Sequence, residues 1–397
     1  MAVLFAAKLA EIGQHLDYLR VTYARLRVGA YPNLAERLRL RLEQLAAIDR
    51  ELAELEAAFA GYHPPPNRAL DTWPQLFAKL RFLAVVVQSV RTQELPAYLA
   101  SAPDEARFAI TFEALHREVG LVDVYPVVSL QQPHWFAVLK DPPTHPLYLA
   151  PESLIDDPGE LPLVFHEIGH VLFRLWDPAF PQYVTGVLLS TAQRKAQEIQ
   201  AISDPHLRAD MLATLQAWMP LVYNQVEELV CDVVGALLGG SAFAVTLAVG
   251  LFVTATNPFD YAQTGNYPPL DCRMRASGIV LRGRGLDDAL LADIETSWAQ
   301  VCAIPGTTPP RHYRWLYDDT FLTDMAVAVE SFLVAKGVQP YHAGCGGLRE
   351  RLAEGASARL AVAPSYRAWA TDLAAALRRD YSPSQSSSSS SSSGSSA

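Results

Sequence analysis

Between Asp232 and Asp260 the chain carries no charged residue. A run this long cannot stay in water, so it lies either across a bilayer or inside a protein core. Val233 to Thr256 is long enough to span a membrane. Gly239 and Gly240 interrupt the run near its start and Ser241 is placed as a fresh helix cap, so two short buried helices are expected in place of a membrane span. The rest of the chain can supply the core that this burial requires. Of 397 residues, 50% are hydrophobic and 19% charged, the profile of a large globular protein. The 42 acidic residues outnumber the 32 basic ones, giving a formal net charge of −10. That field opposes a phosphate backbone, and nucleic acid is not an expected partner. Only Lys8, Lys79, Lys140, Lys195 and Lys336 are lysines, so the cationic surface is almost entirely arginine, which suits fixed pairing with carboxylates.

Cys231, Cys272, Cys302 and Cys345 are scattered, with no CxxC pair and no dense disulfide pattern, which points to a reducing, cytoplasmic setting. At the N-terminus the apolar run is short and Lys8 follows it, the reverse of a secretory signal. A helix start is expected there instead.

The organisation is mostly helical. Ile12, Leu16, Leu19, Tyr23 and Leu26 recur at helical spacing, as do Leu45, Ile48, Leu52, Leu55 and Phe59. Gly29 to Pro32 separates the two sets, and Asn33 with Glu36 offers a capping box for the second helix. Residues 1–62 therefore read as an N-terminal helical hairpin, a packing arm that could also pair with a partner helix through residues 1–60. His63-Pro-Pro-Pro-Asn67 cannot continue a helix and marks a boundary. Helices are expected from about Trp73 to Gln93 and from Asp104 to Val119. Three β-type runs follow, Val124 to Leu130, Trp135 to Leu139 and Leu147 to Ala150. From Glu160 to about Asp380 the chain is again helical, broken by loops at Asn257 to Leu270 and Pro305 to Arg311. Residues 67–380 read as one α+β, predominantly α-helical domain with a small sheet. Residues 382–397, which include eight consecutive serines, can bury nothing and are expected to be disordered.

The residues that carry chemistry begin at Asp157. Asp157, Pro158 and Glu160 form an N-cap, a first-turn proline and a capping-box partner, which starts a helix near residue 158. On it His166, Glu167 and His170 make an HExxH pattern. Two imidazoles four residues apart share a helix face and can meet one Zn²⁺, while Glu167 points toward the open coordination position. A catalytic zinc needs a third protein ligand. Glu228 and Asp232, spaced i, i+4 on a later helix, provide it: Glu228 as the ligand and Asp232 as acceptor for the second ring N–H of a zinc-bound histidine. Glu227 competes with Glu228, since adjacent helical positions point about 100° apart and only one can face the metal; Glu228 is favoured. Cys231 reads as a small core residue.

HExxH followed by ExxxD resembles the gluzincin metallopeptidases, the thermolysin-like group, with His166, Glu167, His170, Glu228 and Asp232 in the signature positions and Gly235 extending it. The resemblance implies a zincin-like catalytic domain in which the sheet packs on the metal helix and an edge strand lines the cleft. The run from His145 to Pro151 is compatible with such a strand. Tyr267-Pro-Pro, with Arg273 beyond, resembles the His-Pro-Pro-x-x-x-Arg segment of the CAAX prenyl-protease-like branch, with Tyr267 in place of the histidine. A phenol can donate to a developing oxyanion, and the arginine implies help in organising the site or the oxyanion. The expected protein is a zinc-dependent peptidase acting on a peptide or protein, with one catalytic ion, Glu167 as base, and no membrane. The alternative is a non-catalytic zinc-containing scaffold that works through its hairpin. A third reading, a membrane-embedded protease, rests on the uncharged run and the Pro-Pro-Arg resemblance. The other histidines, His15, His63, His116, His134, His145, His206, His312 and His342, lack a second ligand at metal-like spacing and read as core or surface. His312 is held in reserve as a proton donor.

Overall fold

The computed structural model describes residues 2–25, 32–60, 69–90, 103–132, 136–139, 144–155, 158–254, 257–260, 267–286, 288–303, 308–360 and 363–381. The boundary at His63–Asn67 and the tail 382–397 lie outside them, as does Asp157. Helices α1 (Ala2–Arg25), α2 (Pro32–Ala60) and α3 (Ala69–Ser89) pack on one another. The hairpin spacing is the cause: Ile12, Leu16, Leu19 and Tyr23 on α1 and Leu45, Leu52 and Leu55 on α2 are all buried. Leu26 lies outside the described residues. The expected capping box does not form. Pro32 already begins α2, as proline does at first helical positions, so Asn33 sits inside the helix and donates to Glu113 and the Pro126 carbonyl. Buried Arg37 donates to the His145 carbonyl, which ties the hairpin to the rest of the chain.

Helix α4 (Pro103–Glu118) carries Asp104 and Glu105 in its first turn and His116 and Arg117 in its last, in accord with the helix dipole. It packs on a three-stranded sheet of β1 (Val127–Gln132), β2 (Ala137–Leu139) and β3 (Leu147–Pro151) in the order β1-β3-β2. The first two strands start two or three residues later than the β-type runs suggest. β3 pairs parallel with β1 and antiparallel with β2. All five of its residues are buried, so the run that was compatible with an edge is the central strand. The edge beside the helix that bears His166 and His170 is β2.

Residues Pro158–Leu163 form a 3₁₀ turn, and the α-helix α5 (Val164–Val171) starts only after it. Pro162 lacks the N–H that a regular ladder would need, so the helix begins later than the cap signals at 158 suggest. Past Val171, a π-turn spans Leu172–Trp176. Helices α6 (Ala179–Gln200) and α7 (Pro205–Thr254) follow. The uncharged run breaks where expected, at Gly240 (φ 57°, ψ −141°), and the helical stretch after it is short and largely buried; the stretch before it is not short, because it continues a helix that began at Pro205. Its most apolar window is 83% buried within the protein. Helices α8 (Leu270–Gly283), α9 (Asp288–Cys302), α10 (Tyr313–Leu316), α11 (Asp319–Ala335), α12 (Gly347–Leu360) and α13 (Ala363–Asp380) complete a predominantly helical α+β chain.

Two outcomes follow from this packing. A Cβ on Gly240 would lie 2.5 Å from the Tyr341 ring, and its backbone conformation is nearly glycine-specific. Gly240→Ala should cost about 2–4 kcal/mol in urea unfolding. His116, fully buried, bonds the Phe112 carbonyl through Nδ1 and the Tyr148 hydroxyl through Nε2, at 2.7 and 2.8 Å. Burial lowers its imidazole to about 4. Between pH 6.5 and 4 the unfolded chain therefore binds a proton that the folded chain refuses. Stability should be full above pH 6.5 and fall by about 3 kcal/mol on acidification to pH 4, a slope that a His116→Gln variant should lack.

Candidate metal centre

Helix α5 lies against α7 in the most extensive contact between any two described elements. Gly169 permits it: a Cβ there would stand 2.8 Å from the Cys231 Cα. Such an approach places the face bearing His166 and His170 directly on the face bearing Glu228 and Asp232. His166 Nε2 is 3.1 Å from Glu228 Oε2 and His170 Nε2 is 3.5 Å from Glu228 Oε1. The two rings lie edge to face, with centroids 5.1 Å apart. Both outer nitrogens thus converge on one carboxylate.

Both inner nitrogens are already engaged. His166 Nδ1 is 3.0 Å from Asp232 Oδ1. Asp232 also receives Arg273 Nε at 2.6 Å and Nη2 at 2.8 Å. His170 Nδ1 is 2.9 Å from Glu227 Oε1, and Arg174 Nε donates to Glu227 Oε2 at 2.7 Å. Glu227, the rival for third ligand, therefore faces the inner nitrogen of His170. Each imidazole has a carboxylate behind it and an arginine behind that. The Asp232 carboxylate has no exposure, whereas Arg174 is 58% exposed, so the first arrangement is the stiffer of the two. Spacing along the chain marks Glu227 only as a competing ligand and gives no role to Arg174. Glu227 is four residues before Cys231 and next to Glu228, but its reach to His170 depends on how the helices cross.

The electrostatics follow from burial and pairing. Burial alone would raise the Asp232 carboxyl, but the Arg273 charge and hydrogen bonds from Arg273 and His166 hold it at about 2. Burial alone would lower His166, but the bonds to Asp232 and Glu228 outweigh it and raise the imidazole to about 10. Glu228 is likewise held below the usual carboxylate range, burial being outweighed by its bond to His166. Nε2 of His166 faces Glu228, where a cation with the same ligand preferences would compete with a ring proton.

Two imidazoles and a carboxylate are donor types that suit zinc. The two nitrogen–oxygen separations, each to a different oxygen of Glu228, are near the roughly 3.3 Å between ligands of a tetrahedral ion. Cys231 Sγ also lies within 4.8 Å of a ring nitrogen of each histidine, but it packs against Gly169 in the helix crossing and is completely buried. Glu167, 6% exposed, lies on the same helix turn, and its charge is felt by His166, by the buried Tyr148 phenol and by Tyr267. Tyr267 stands half exposed with its ring 5.5 Å from the Arg273 guanidinium. Burial and the charge of Glu228 push its phenol up, which keeps it a donor at neutral pH. Arg273 directs Nε and Nη2 to Asp232, so its geometry organises the site. His312 is elsewhere, 3.0 Å from Asp210. Beside the centre a cleft of about 350 Å³ is walled by Phe173, Arg174, Pro181, Tyr223, Glu227 and Glu228.

Compared with known proteins, the chain matches no protein-family profile, no curated protein sequence and no solved structure. Arg273→Met should strand the buried Asp232 charge and cost about 3–5 kcal/mol of stability in denaturant unfolding. Arg174→Met, whose ion pair is exposed, should cost less than about 1 kcal/mol.

Proposed function

We propose that this chain is a zinc-dependent metallopeptidase of gluzincin type, with a zincin-like catalytic domain. The observation that carries the reading is the convergence of His166 Nε2 and His170 Nε2 on the two oxygens of Glu228, with both Nδ1 atoms held by carboxylates. His166, His170 and Glu228 would hold the ion. Bound zinc supplies Lewis acidity, bringing the pKa of water toward 7 and polarising a carbonyl.

The chain's own groups do the rest. Asp232 and Glu227 accept the Nδ1 protons, which fixes each ring with Nε2 facing Glu228. The Glu167 carboxylate takes the proton of the attacking water and returns it to the leaving amine. Tyr267 donates its phenolic proton in a hydrogen bond to the oxygen that gains charge. β2, an edge strand of the sheet next to α5, would offer its outer N–H and C=O groups to an extended peptide or protein substrate. None of the four cysteines is in a disulfide, in keeping with a cytoplasmic setting.

A second reading is favoured by Cys231. With His166 and His170 its sulfur could close a structural zinc site, leaving a scaffold that acts through the helical hairpin. The two separate cleanly. The peptidase reading expects one zinc per chain, unchanged in Cys231→Ser and reduced at least about tenfold in affinity in Glu228→Gln; the scaffold reading expects the reverse. Glu167→Gln should keep the zinc and lose cleavage of a peptide library by about 100-fold or more. Mass spectrometry of cleaved termini with the intact chain and this variant reads the result, and undiminished cleavage by Glu167→Gln would overturn the mechanism.

A further inference from the structure

The cleft beside the metal centre holds about 350 Å³, inside the range of small-molecule sites, roughly 300–1,000 Å³. The π-turn after α5 contributes Phe173 and Arg174 to its wall, α6 contributes Pro181, and α7 contributes Tyr223, Val226 and Glu227. Phe173 and Val226 are buried and Tyr223 is exposed, so the cleft has an apolar depth and an aromatic rim. Glu228, the carboxylate on which both histidines converge, lines it as well. The cleft and the candidate metal position therefore share a wall.

Among the described residues that line it, three are charged, and they are turned in different directions. Glu228 faces the Nε2 atoms of His166 and His170, and Glu227 Oε1 faces His170 Nδ1. These two side chains are 14% and 13% exposed, whereas that of Arg174 is 58% exposed. The charge that the cleft shows to solvent is thus a cation. Its pairing with Glu227 uses only one edge of the guanidinium, since Nε and Nη2 both donate to Glu227 Oε2. Nη1 has no partner among the described residues. Nη1 and the second N–H of Nη2 form the other edge, a fork whose two parallel N–H groups match the two oxygens of a carboxylate. The bond to Glu227 already holds the guanidinium plane, so little side-chain freedom is left to lose when that fork is filled.

We propose that Arg174 is a specificity-determining residue, which binds a carboxylate of the peptide substrate while an apolar side chain of the same peptide lies against Phe173 and Val226. The inference rests on the peptidase reading for the peptide, and on the cleft itself for the carboxylate. That carboxylate is the C-terminus of the peptide or the side chain of an Asp or Glu within it, since both present the same two oxygens to the fork. A carboxamide in its place offers one oxygen and no charge, and an ammonium group meets a like charge.

Isothermal titration calorimetry on the full chain tests this after chelator treatment, so that no ion takes the carboxylate and nothing is cleaved. The probes are N-acetyl-Ala-Phe-Ala as the free acid, the same peptide as its C-terminal amide, and N-acetyl-Ala-Phe-Glu as its C-terminal amide. At least one of the two carboxylate-bearing probes should bind about tenfold more tightly than the probe without a carboxylate, the equivalent of one hydrogen bond to a charged group. Preference for the free acid identifies the C-terminus as the recognised group, and preference for the glutamyl amide identifies the side chain. Arg174→Met, shown to be folded by circular dichroism and thermal melting, should bring that ratio to within about twofold of one. If Arg174 only steadied Glu227 and His170, the substitution would weaken all three probes alike and leave the ratio where it was. A ratio unchanged in Arg174→Met therefore overturns the proposal, as does a ratio near one in the unaltered chain or the absence of saturable binding by both carboxylate-bearing probes. Failure of the peptidase reading shows separately, as absent cleavage by the zinc-loaded chain while the ratio on the metal-free chain stands.

Discussion

The Asp232 carboxylate is wholly cut off from water, and a charge in that position survives only with partners that return the solvation it has lost. It has two, and they come from different helices: the Arg273 guanidinium on α8 and the His166 ring on α5. Three helices are thereby fixed around one residue. The uncharged run begins at the next position, so the most apolar part of the chain starts where its most committed charge ends. Membrane-like composition and buried chemistry belong to one helix. The apolar run forms the wall, and Asp232 is anchored in it.

Pairing sets orientation, but the separation of the helices is set by size. Gly169, between the two histidines, allows α5 to approach α7 until the backbone meets Cys231. A larger residue would hold the histidines away from Glu228. The same principle recurs beyond the site. Gly239 lies against Phe165, Gly235 against Phe243 and Gly240 against Tyr341. Tyr341 also donates its backbone N–H to the Leu237 carbonyl at 2.7 Å. The late part of the chain thus clamps the kink that turns the apolar run back into the core.

The helices after α8 hold this arrangement from behind. Lys195, fully buried, reaches Asp318 at 2.6 Å and also donates to the Trp315 carbonyl. Glu118 at the end of α4 accepts the backbone N–H groups of Leu348 and Arg349, satisfying the start of α12. Where α9 meets α8 the packing is incomplete, and the resulting cavity shares a helix with Arg273. One helix therefore borders a charged cluster on one face and an apolar space on the other.

The helical hairpin, the three strands, the kink near Gly240 and the set His166, Glu167, His170, Glu228 and Asp232 were all legible in the sequence, because periodicity, breaker residues and i, i+4 spacing are local properties. What failed locally failed for local reasons too: Pro32 took the start of α2 from Asn33, and Pro162 delayed α5. The tertiary structure decided what no spacing encodes. Glu228 and not Glu227 faces both outer histidine nitrogens, because the rotation of α7 against α5 is set by packing at Gly169 and Cys231. Arg273 serves Asp232, and Arg174 backs Glu227, because a π-turn and a helix crossing bring together residues far apart in the chain. The central place of β3 and the cavity along α8 were equally invisible. A linear pattern states which face of an element is apolar or charged, but only the packed chain determines which two faces meet and how closely.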